Sequence, residues 1–485
     1  MAVVTGINWF HVLQVQFFER PNMAQAAQEN IYQDSPFGFH PALVNMPSCT
    51  NNGYCDAQNI GVTWNRPSLY ALWYSIQPDI NLTDYQWAQY DNLYGKIPVG
   101  INILANIATQ MKTDWGYELA GSYMPVDTDK YVAFVKAAVE RYDGDGVSDM
   151  PGLVNPIKYW QVGNEPNDIL KKDFSSLQSI TYTAVKEACP DCTVLIGGVP
   201  GMPPSDNYLK YFNSQYKPIL DALQSGYVDV MDIHWYGNAT GDYKGVKDVY
   251  NYIRSVLNTD GFPDMPIWIT EMGSYSGQPV NYSFQTERQQ ALDYLKRFVY
   301  PLSFGVKKVF PAFGLSEGFK YNNGYFDCTG LIYDGVGYGD PGSGVKKLAY
   351  YTYKLMTEKL EGSDWNNVQT IQESDHVYIY KFTKDNKPIY VAWWDYFDEP
   401  AYQYGDVKTT KLNADFTGDV MVTRAVPDAN GGVELNENDY PNFFPTETHS
   451  VVNGQVTINL GEIPVFIEWP DSIAPVAPLM LKVNP

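Results

Sequence analysis

The sequence predicts an α/β fold: a (β/α)8 barrel followed by an all-β, sandwich-like module. Three observations predict it. Through the middle of the chain, short β-rich apolar runs alternate with amphipathic helical segments, as successive βα units do. Several of those runs are almost continuously apolar, the pattern of parallel strands covered on both faces. From about Glu361 the helical period disappears, and short strands follow one another across Lys/Asp/Asn/Gly turns.

The expected strands are Phe37–Asn45, Ile60–Trp64, Ile97–Leu104, Ile157–Val162, Thr193–Gly197, Val228–His234, Ile267–Thr270 and Lys308–Phe313. Between them, Asp129–Tyr142 puts Tyr131, Phe134, Val135, Ala138, Val139 and Tyr142 on one helical face. Thr286 with Gln289 reads as a capping box ahead of the stripe Leu292, Leu295, Phe298 and Val299, and Val345–Leu360 reads as the eighth helix. In the β-module the expected strands are HVYIYKF, PIYVAWW, DVMVTRA, QVTINL and PVFIEW. The expected organisation is residues 1–36 as a segment outside the βα pattern and a candidate to pack on the β-module, 37–360 as the barrel and 361–485 as the β-module.

Composition narrows the function classes. The 485 residues carry 33 Lys+Arg against 55 Asp+Glu, a net charge of −22. Such a field repels phosphate backbones and anionic lipid, so neither nucleic acid nor a membrane surface is expected as a partner. No run of about 18 uninterrupted apolar residues, the length that spans a bilayer, occurs in the sequence. The 39 Tyr, 22 Phe and 12 Trp are unusual. Tyr and Trp offer a flat apolar face with a polar tip, which suits ligands alternating C–H faces with hydroxyls, or else simply builds a Tyr-rich core. Of the five cysteines, Cys49 with Cys55 and Cys189 with Cys192 are either disulfides or free loop thiols, and Cys328 is left odd. The first 22 residues show no basic n-region and no small-residue cleavage site. Location is left open, with the extracellular side slightly favoured.

In a ring of βα units, functional residues gather at the C-terminal ends of the strands. The fourth strand runs into Gly-Asn-Glu-Pro-Asn and places Glu165 there; the seventh runs into Glu-Met-Gly and places Glu271 at the same height. They stand 106 residues apart, the length of three βα units of about 35 residues. Two carboxylates facing one another in such a mouth are the equipment of glycoside hydrolysis. Trp64, Trp73, Trp115, Trp235 and Tyr275 lie near strand ends and are either sugar platforms or packing residues.

Asn164-Glu165-Pro166 after strand four, His234-Trp235-Tyr236 closing strand six and Thr270-Glu271 closing strand seven together resemble clan A glycoside hydrolases. The YWQVGNEPN context and the trailing β-module resemble the family 39 type most. Asn-Glu-Pro alone recurs by chance; three motifs in order, spaced by whole βα units, are specific. The resemblance covers about residues 37–360 and implies retaining hydrolysis of β-glycosidic bonds. It implies Glu165 as general acid/base, Glu271 as nucleophile, Tyr236 as hydrogen-bond donor to Glu271 and Asn164 as partner of the sugar 2-hydroxyl. His234 would hold this network, and Arg66 resembles the strand-two arginine beside the nucleophile. Where the clan often has a tryptophan at the end of strand eight, this chain reads VFPAFGLSEG. Phe313 is the candidate substitute, and Glu317 is a third carboxylate available to sugar hydroxyls.

Asp143, Asp145 and Asp149 occupy relative positions 1, 3 and 7, as in a short calcium loop, but the third-ligand position and terminal Glu of an EF-hand are missing. An ion there would be structural; the alternative is a metal-free acidic turn. No cofactor is expected for catalysis. Two other classes fit the sequence less well. A metal-dependent barrel hydrolase needs clustered ligands, whereas the five histidines include no His-x-His pair. A sugar-binding barrel without activity would be signalled by loss of either glutamate, and both are present.

Overall fold

The computed structural model describes residues 33–44, 52–112, 118–121, 124–166, 171–320, 322–336, 340–403, 405–413 and 418–469. The first ten strands are β1 Gly38–Phe39, β2 Trp64–Asn65, β3 Ala71–Leu72, β4 Asn102–Lys112, β5 Glu118–Gly121, β6 Tyr159–Val162, β7 Thr193–Leu195, β8 Met231–Trp235, β9 Ile267–Met272 and β10 Val309–Pro311. Eight of these match the eight expected strands; β3 and β5 are short additions that both pair with β4.

Parallel pairing runs β1-β2-β4-β6-β7 and, separately, β8-β9-β10. Parallel bridges Leu195–Val230 and Val199–Ile233 join β7 to β8, and Phe37–Val309 and His40–Ala312 bring β10 back beside β1. The pairings thus return to their starting point. Inside them, Trp64, Leu104, Leu195, Val230, Trp268 and Phe310 form an apolar plug, with Trp64 and Trp268 edge to face at 5.2 Å. A much larger apolar core lies between the strands and the helices.

Strand limits differ from expectation where backbone chemistry intervenes. Pro41 has no N–H to extend the ladder, so the first strand stops at Phe39 with a bridge at His40. Pro98, with Gly100 at φ 96, holds 97–101 in a turn, so the third expected strand starts only at Asn102. The helices agree closely. Thr128–Tyr142 is capped by Asp127, whose side chain accepts from the Lys130 N–H at 3.1 Å, and it buries all six of its expected residues. Thr286 and Gln289 form the expected reciprocal capping box on Glu287–Ser303.

Beyond residue 368 the strands are antiparallel: β11 Gln369–Ser374, β12 Val377–Lys384, β13 Lys387–Trp394, β14 Lys408–Asn413, β15 Asp419–Arg424, β16 Thr446–Ser450, β17 Gln455–Leu460 and β18 Val465–Glu468. Six form a sheet ordered β11-β12-β13-β18-β15-β16, and β14 pairs with β17. The two sheets share an apolar core of Val377, Ile379, Ala392, Val420, Leu412, Val456, Ile458 and Ile467. The other face of the six-stranded sheet packs on the helical layer. There the Trp393 indole donates to the Tyr243 hydroxyl at 2.8 Å, and that hydroxyl donates to buried Asp395 at 2.8 Å. Strands β11, β14 and β16 were not expected, because they are largely exposed edge strands with few apolar residues. The Cys189–Cys192 disulfide is formed and Cys328 is a buried free thiol; Cys49 lies outside the described residues, as do residues 1–32. Among the described residues no helix is long and apolar enough to cross a membrane.

Candidate active site

After Val162 the chain leaves β6 through Gly163 and reaches Glu165 with φ 44, a left-handed conformation that a non-glycine residue adopts at a cost of about 1–3 kcal/mol. Asn106 at the centre of β4 fixes this turn, its amide donating to the Gly163 carbonyl and to Gln161 Oε1, each at 2.9 Å. Glu165 is half-buried, its side chain 34% exposed, whereas Glu271 is only 2% exposed.

Glu271 owes its placement to a bulge. In the β8–β9 register, Ile233 faces Ile269 but His234 faces Glu271, which leaves Thr270 as an extra residue on β9. A bulge re-aims side chains next to it. Here consecutive residues Thr270 and Glu271 both reach the inner face, where Thr270 Oγ1 donates to Asp232 Oδ2 at 2.6 Å and Glu271 meets Arg66 and Tyr236.

Arg66, fully buried just beyond β2, spans the site. Its Nη1 donates to Glu271 Oε1 at 2.6 Å, its Nη2 to Asn164 Oδ1 at 2.7 Å and its Nε to Gln161 Oε1 at 2.8 Å. The Tyr236 hydroxyl donates to the other Glu271 oxygen. His234 Nδ1 lies 2.7 Å from Glu165 Oε1 and 3.4 Å from Glu271 Oε2. One oxygen of each glutamate and a ring nitrogen of His234 all lie within 4.8 Å of one another.

The charges are tuned accordingly. Burial alone drives the Glu271 carboxyl upward, but His234, Arg66 and His40 together with the Tyr236 hydroxyl outweigh it and hold the group at about 2. Burial drives the His234 imidazole down, yet Glu271, Asp232 and Glu165 raise it to about 10. His40, 3.7 Å from Glu271, is pushed down to about 3 by burial and by the Arg66 charge, and stays neutral. The site therefore holds an ionised, buried carboxylate beside a more accessible one. The Glu165, His234 and Glu271 atoms are close enough to bind a metal ion. The Arg66 guanidinium already supplies the positive charge at Glu271, which a second cation would have to oppose.

The structure brings together Glu165, Glu271, Asn164, His234, Tyr236 and Arg66. Phe313 stands beside them, its ring 4.9 Å from His40 and stacked on Phe319 at 4.2 Å. Two expected residues are placed elsewhere. Trp235 is fully buried against Tyr208, its N–H donating to the Asp242 carbonyl at 3.1 Å. It alternates with inward-facing His234 and Tyr236 and so points to the helices. Glu317 is ion-paired with buried Lys347 and faces a separate cavity of about 800 Å³ that also exposes Ser276, Tyr333 and Asp340. Burial raises it to about 7, partly offset by Lys347. Trp64, Trp73 and Tyr275 are fully buried packing residues, and Trp115 lies outside the described residues. Asp143, Asp145 and Asp149 bring one oxygen each within 4.8 Å of one another, on the loop that enters β6 from the far end of the strands. Their oxygens accept from loop N–H groups, among them Val147 to Asp145 at 2.7 Å and Gly146 to Asp149 at 2.8 Å.

Sequence reasoning missed Asp232, Gln161, Thr270 and the role of His40. A signal for the first two existed. Asp232 lies two residues before His234 and four before Tyr236, so the period of two puts all three on one face; Gln161 stands just upstream of Asn164 in the strand that delivers it.

The site is thus an α/β core of mostly parallel strands that brings two strand-end glutamates together, one of them locked by a buried arginine. Residues 157–302, which include both glutamates and His234, match the family profile described as the glycosyl hydrolase catalytic core. The fold is similar to a family 39 glycoside hydrolase from Bacteroides cellulosilyticus WH2, with a TM-score of 0.60 at 16% identity over 90% of this chain and 81% of that one. It is also similar to a glucosidase from Croceicoccus marinus (0.53, 17%, over 90% and 97%) and to the catalytic domain of a family 30 xylanase from Talaromyces cellulolyticus (0.53, 14%, over 89% and 96%). The expected resemblance to glycoside hydrolases is borne out over residues 157–302, and a family 39 enzyme is among the structures of similar fold. No curated protein sequence matches the chain.

Proposed function

We propose that the chain is a retaining β-glycoside hydrolase acting through a double displacement. In this reading the cycle of parallel strands is a (β/α)8 barrel of residues 37–360, and 361–485 form a β-module that shields one side of it. The observation that carries it is the spacing of the carboxylates. Retaining enzymes hold the two about 5–5.5 Å apart and inverting ones about 6.5–9.5 Å, to admit a water. Glu165 and Glu271 have oxygens within 4.8 Å of each other.

Glu271 attacks the anomeric carbon while Glu165 gives its proton to the departing glycosidic oxygen. Water, deprotonated by Glu165, then releases the sugar and restores Glu271. Arg66 and Tyr236 keep Glu271 ionised and aimed. With its Oδ1 held by Arg66, the Asn164 amide nitrogen is available to the sugar 2-hydroxyl, a contact that strengthens as the oxocarbenium ion develops. The His40–Phe313–Phe319 stack offers an apolar wall to a sugar face. The substrate class is a β-linked oligo- or polysaccharide, with xylo- and gluco-configured sugars the first to try.

The test is hydrolysis of a panel of aryl β-glycosides and β-linked polysaccharides by the wild type and by Glu271→Ala, with and without azide. A dead variant rescued by azide to the inverted glycosyl azide supports the assignment. Wild-type activity in Glu271→Ala would remove it.

A further inference from the structure

Beneath the two glutamates lies a third carboxylate for which the double displacement has no use. Asp232, on β8, is fully buried. Its Oδ1 accepts from the Thr270 N–H at 3.0 Å, and its Oδ2 accepts from the Thr270 hydroxyl at 2.6 Å and the Gln161 amide at 2.5 Å. Oδ2 also lies 3.3 Å from His234 Nε2. An isolated carboxylate in such a place costs several kcal/mol unless it is paired, and the histidine is the cationic partner within reach.

The other face of the same ring meets the catalytic pair. Nδ1 looks at Glu165 and Glu271, and Nε2 looks at Asp232 and at the Thr270 oxygen, 3.3 Å away. The Thr270 hydroxyl proton is committed to Asp232, so its oxygen is an acceptor for Nε2. With Glu165 accepting at Oε1, the proton it delivers in catalysis being carried on its other oxygen, both ring nitrogens are donors and the ring is an imidazolium. We propose that Asp232 is a positioning residue for the catalytic pair: it holds His234 as a fixed cation whose Nδ1–H pins Glu165 and whose charge balances Glu271. Through Gln161, which also accepts from Arg66 Nε, the same carboxylate is tied to the guanidinium on the opposite side of Glu271. The proposal rests on the retaining reading above.

The groups facing this unit are Glu165, Glu271, neutral His40, Arg66 beyond Glu271, and the hydroxyls of Tyr236, Tyr208 and Tyr216, all three held protonated chiefly by burial. The Asp232–His234 pair is a dipole with its positive end at the glutamates. Replacing Asp232 by Asn removes the charge that keeps the ring protonated. The positive charge 3.4 Å from Glu271 is then lost, and the ionised nucleophile becomes harder to form.

Two readouts test this. The first is 15N NMR of the His234 ring in the free enzyme, with His234→Gln as the assignment control. The expected result is two protonated-type nitrogens persisting above pH 8 in the wild type, and a neutral ring at pH 7 in Asp232→Asn. The second is the pH profile of kcat/KM, whose acid limb is expected to move to higher pH in Asp232→Asn, with kcat falling at least tenfold and KM changing less than threefold. A neutral ring in the wild type at pH 7 overturns the proposal even if Asp232→Asn does not fold. So does an unaltered ring and profile in a folded Asp232→Asn. If no glycoside is hydrolysed but the ring behaves as expected, the Asp232–His234 pairing stands and the hydrolase reading is what has failed.

Discussion

Arg66 and Glu271 form a buried ion pair, Nη1 to Oε1 at 2.6 Å, at the centre of a hydrogen-bonded web that also reaches Asn164 and Gln161. The planar fork matters as much as the charge, because three acceptors on three sides are met by one rigid group. Arg66→Lys keeps the charge but can satisfy only part of the set. It is expected to lower kcat at least a hundredfold and to cost about 3 kcal/mol of stability, since breaking part of a buried pair leaves polar groups unmatched. Denaturant unfolding and steady-state kinetics on one preparation measure both; a variant within 1 kcal/mol and threefold of the wild type would show that Arg66 is not the organising group.

The Tyr236 hydroxyl donates to Glu271 Oε2 and lowers the carboxyl's proton affinity. Tyr236→Phe removes that donor without changing the ring's packing against Tyr325 and Phe326. The sign follows directly. Without the donor the nucleophile's pKa rises, so the acid limb of kcat/KM moves to higher pH and kcat falls about 10–100-fold at neutral pH. A pH series on an aryl glycoside checks it; an acid limb unmoved, or moved to lower pH, contradicts the assignment.

Gly198 sits against the lower edge of His234. A Cβ there would lie 2.0 Å from His234 Nε2 and 2.6 Å from Asp232 Oδ2, distances that atoms do not share. Gly198→Ala is therefore expected to displace the imidazole or the carboxylate, with activity lost by more than a hundredfold. Its melting temperature should fall by several degrees, on the usual scale for overpacking of about 1–3 kcal/mol. Activity within tenfold of wild type would mean the Asp232–His234 contact is looser than the structure shows.

What the sequence disclosed and what it withheld divide along physical lines. The eight strands, the capped helices and the positions of Glu165 and Glu271 were legible because each follows from local periodicity or from standing at a strand end, whereas Asn164 and Tyr236 were legible only through the motifs of the family resemblance. The bulge at Thr270 was not, because an extra residue on one strand is defined only by its neighbours β8 and β10. Asp232 escaped for a related reason: a buried carboxylate reads from sequence as a solvated one until the residues around it are known. Trp235 stood open between sugar platform and packing residue because its motif has two inward residues and one outward, which only the pleat of the strand tells apart. Glu317 looked available for sugar because Lys347, 30 positions later, was invisible as its partner.

Lys308 offers a test of the fold away from the chemistry. Its ammonium is buried at the entrance to β10, over the Trp64 ring at 4.8 Å, and donates to the Gln33 carbonyl. Burial lowers it to about 7, with Asp34 and Glu361 only partly opposing the drop. The sign of the pH dependence follows from linkage. A lysine whose folded pKa lies below its unfolded value of 10.5 disfavours folding most at pH values below 7, where both states are protonated. That cost fades as pH rises from about 7 to 10.5, because the folded state no longer has to bury the charge. Lys308→Met removes it, keeps the stem's packing and forgoes the cation–π contact, leaving a net gain on the order of 2 kcal/mol at pH 6. The expected result is a higher melting temperature than wild type at pH 6 and a difference that shrinks towards zero or reverses at pH 10. An advantage of equal size at both pH values would assign the effect to packing alone, and a loss at pH 6 would show that the ammonium is held by contacts stronger than its burial.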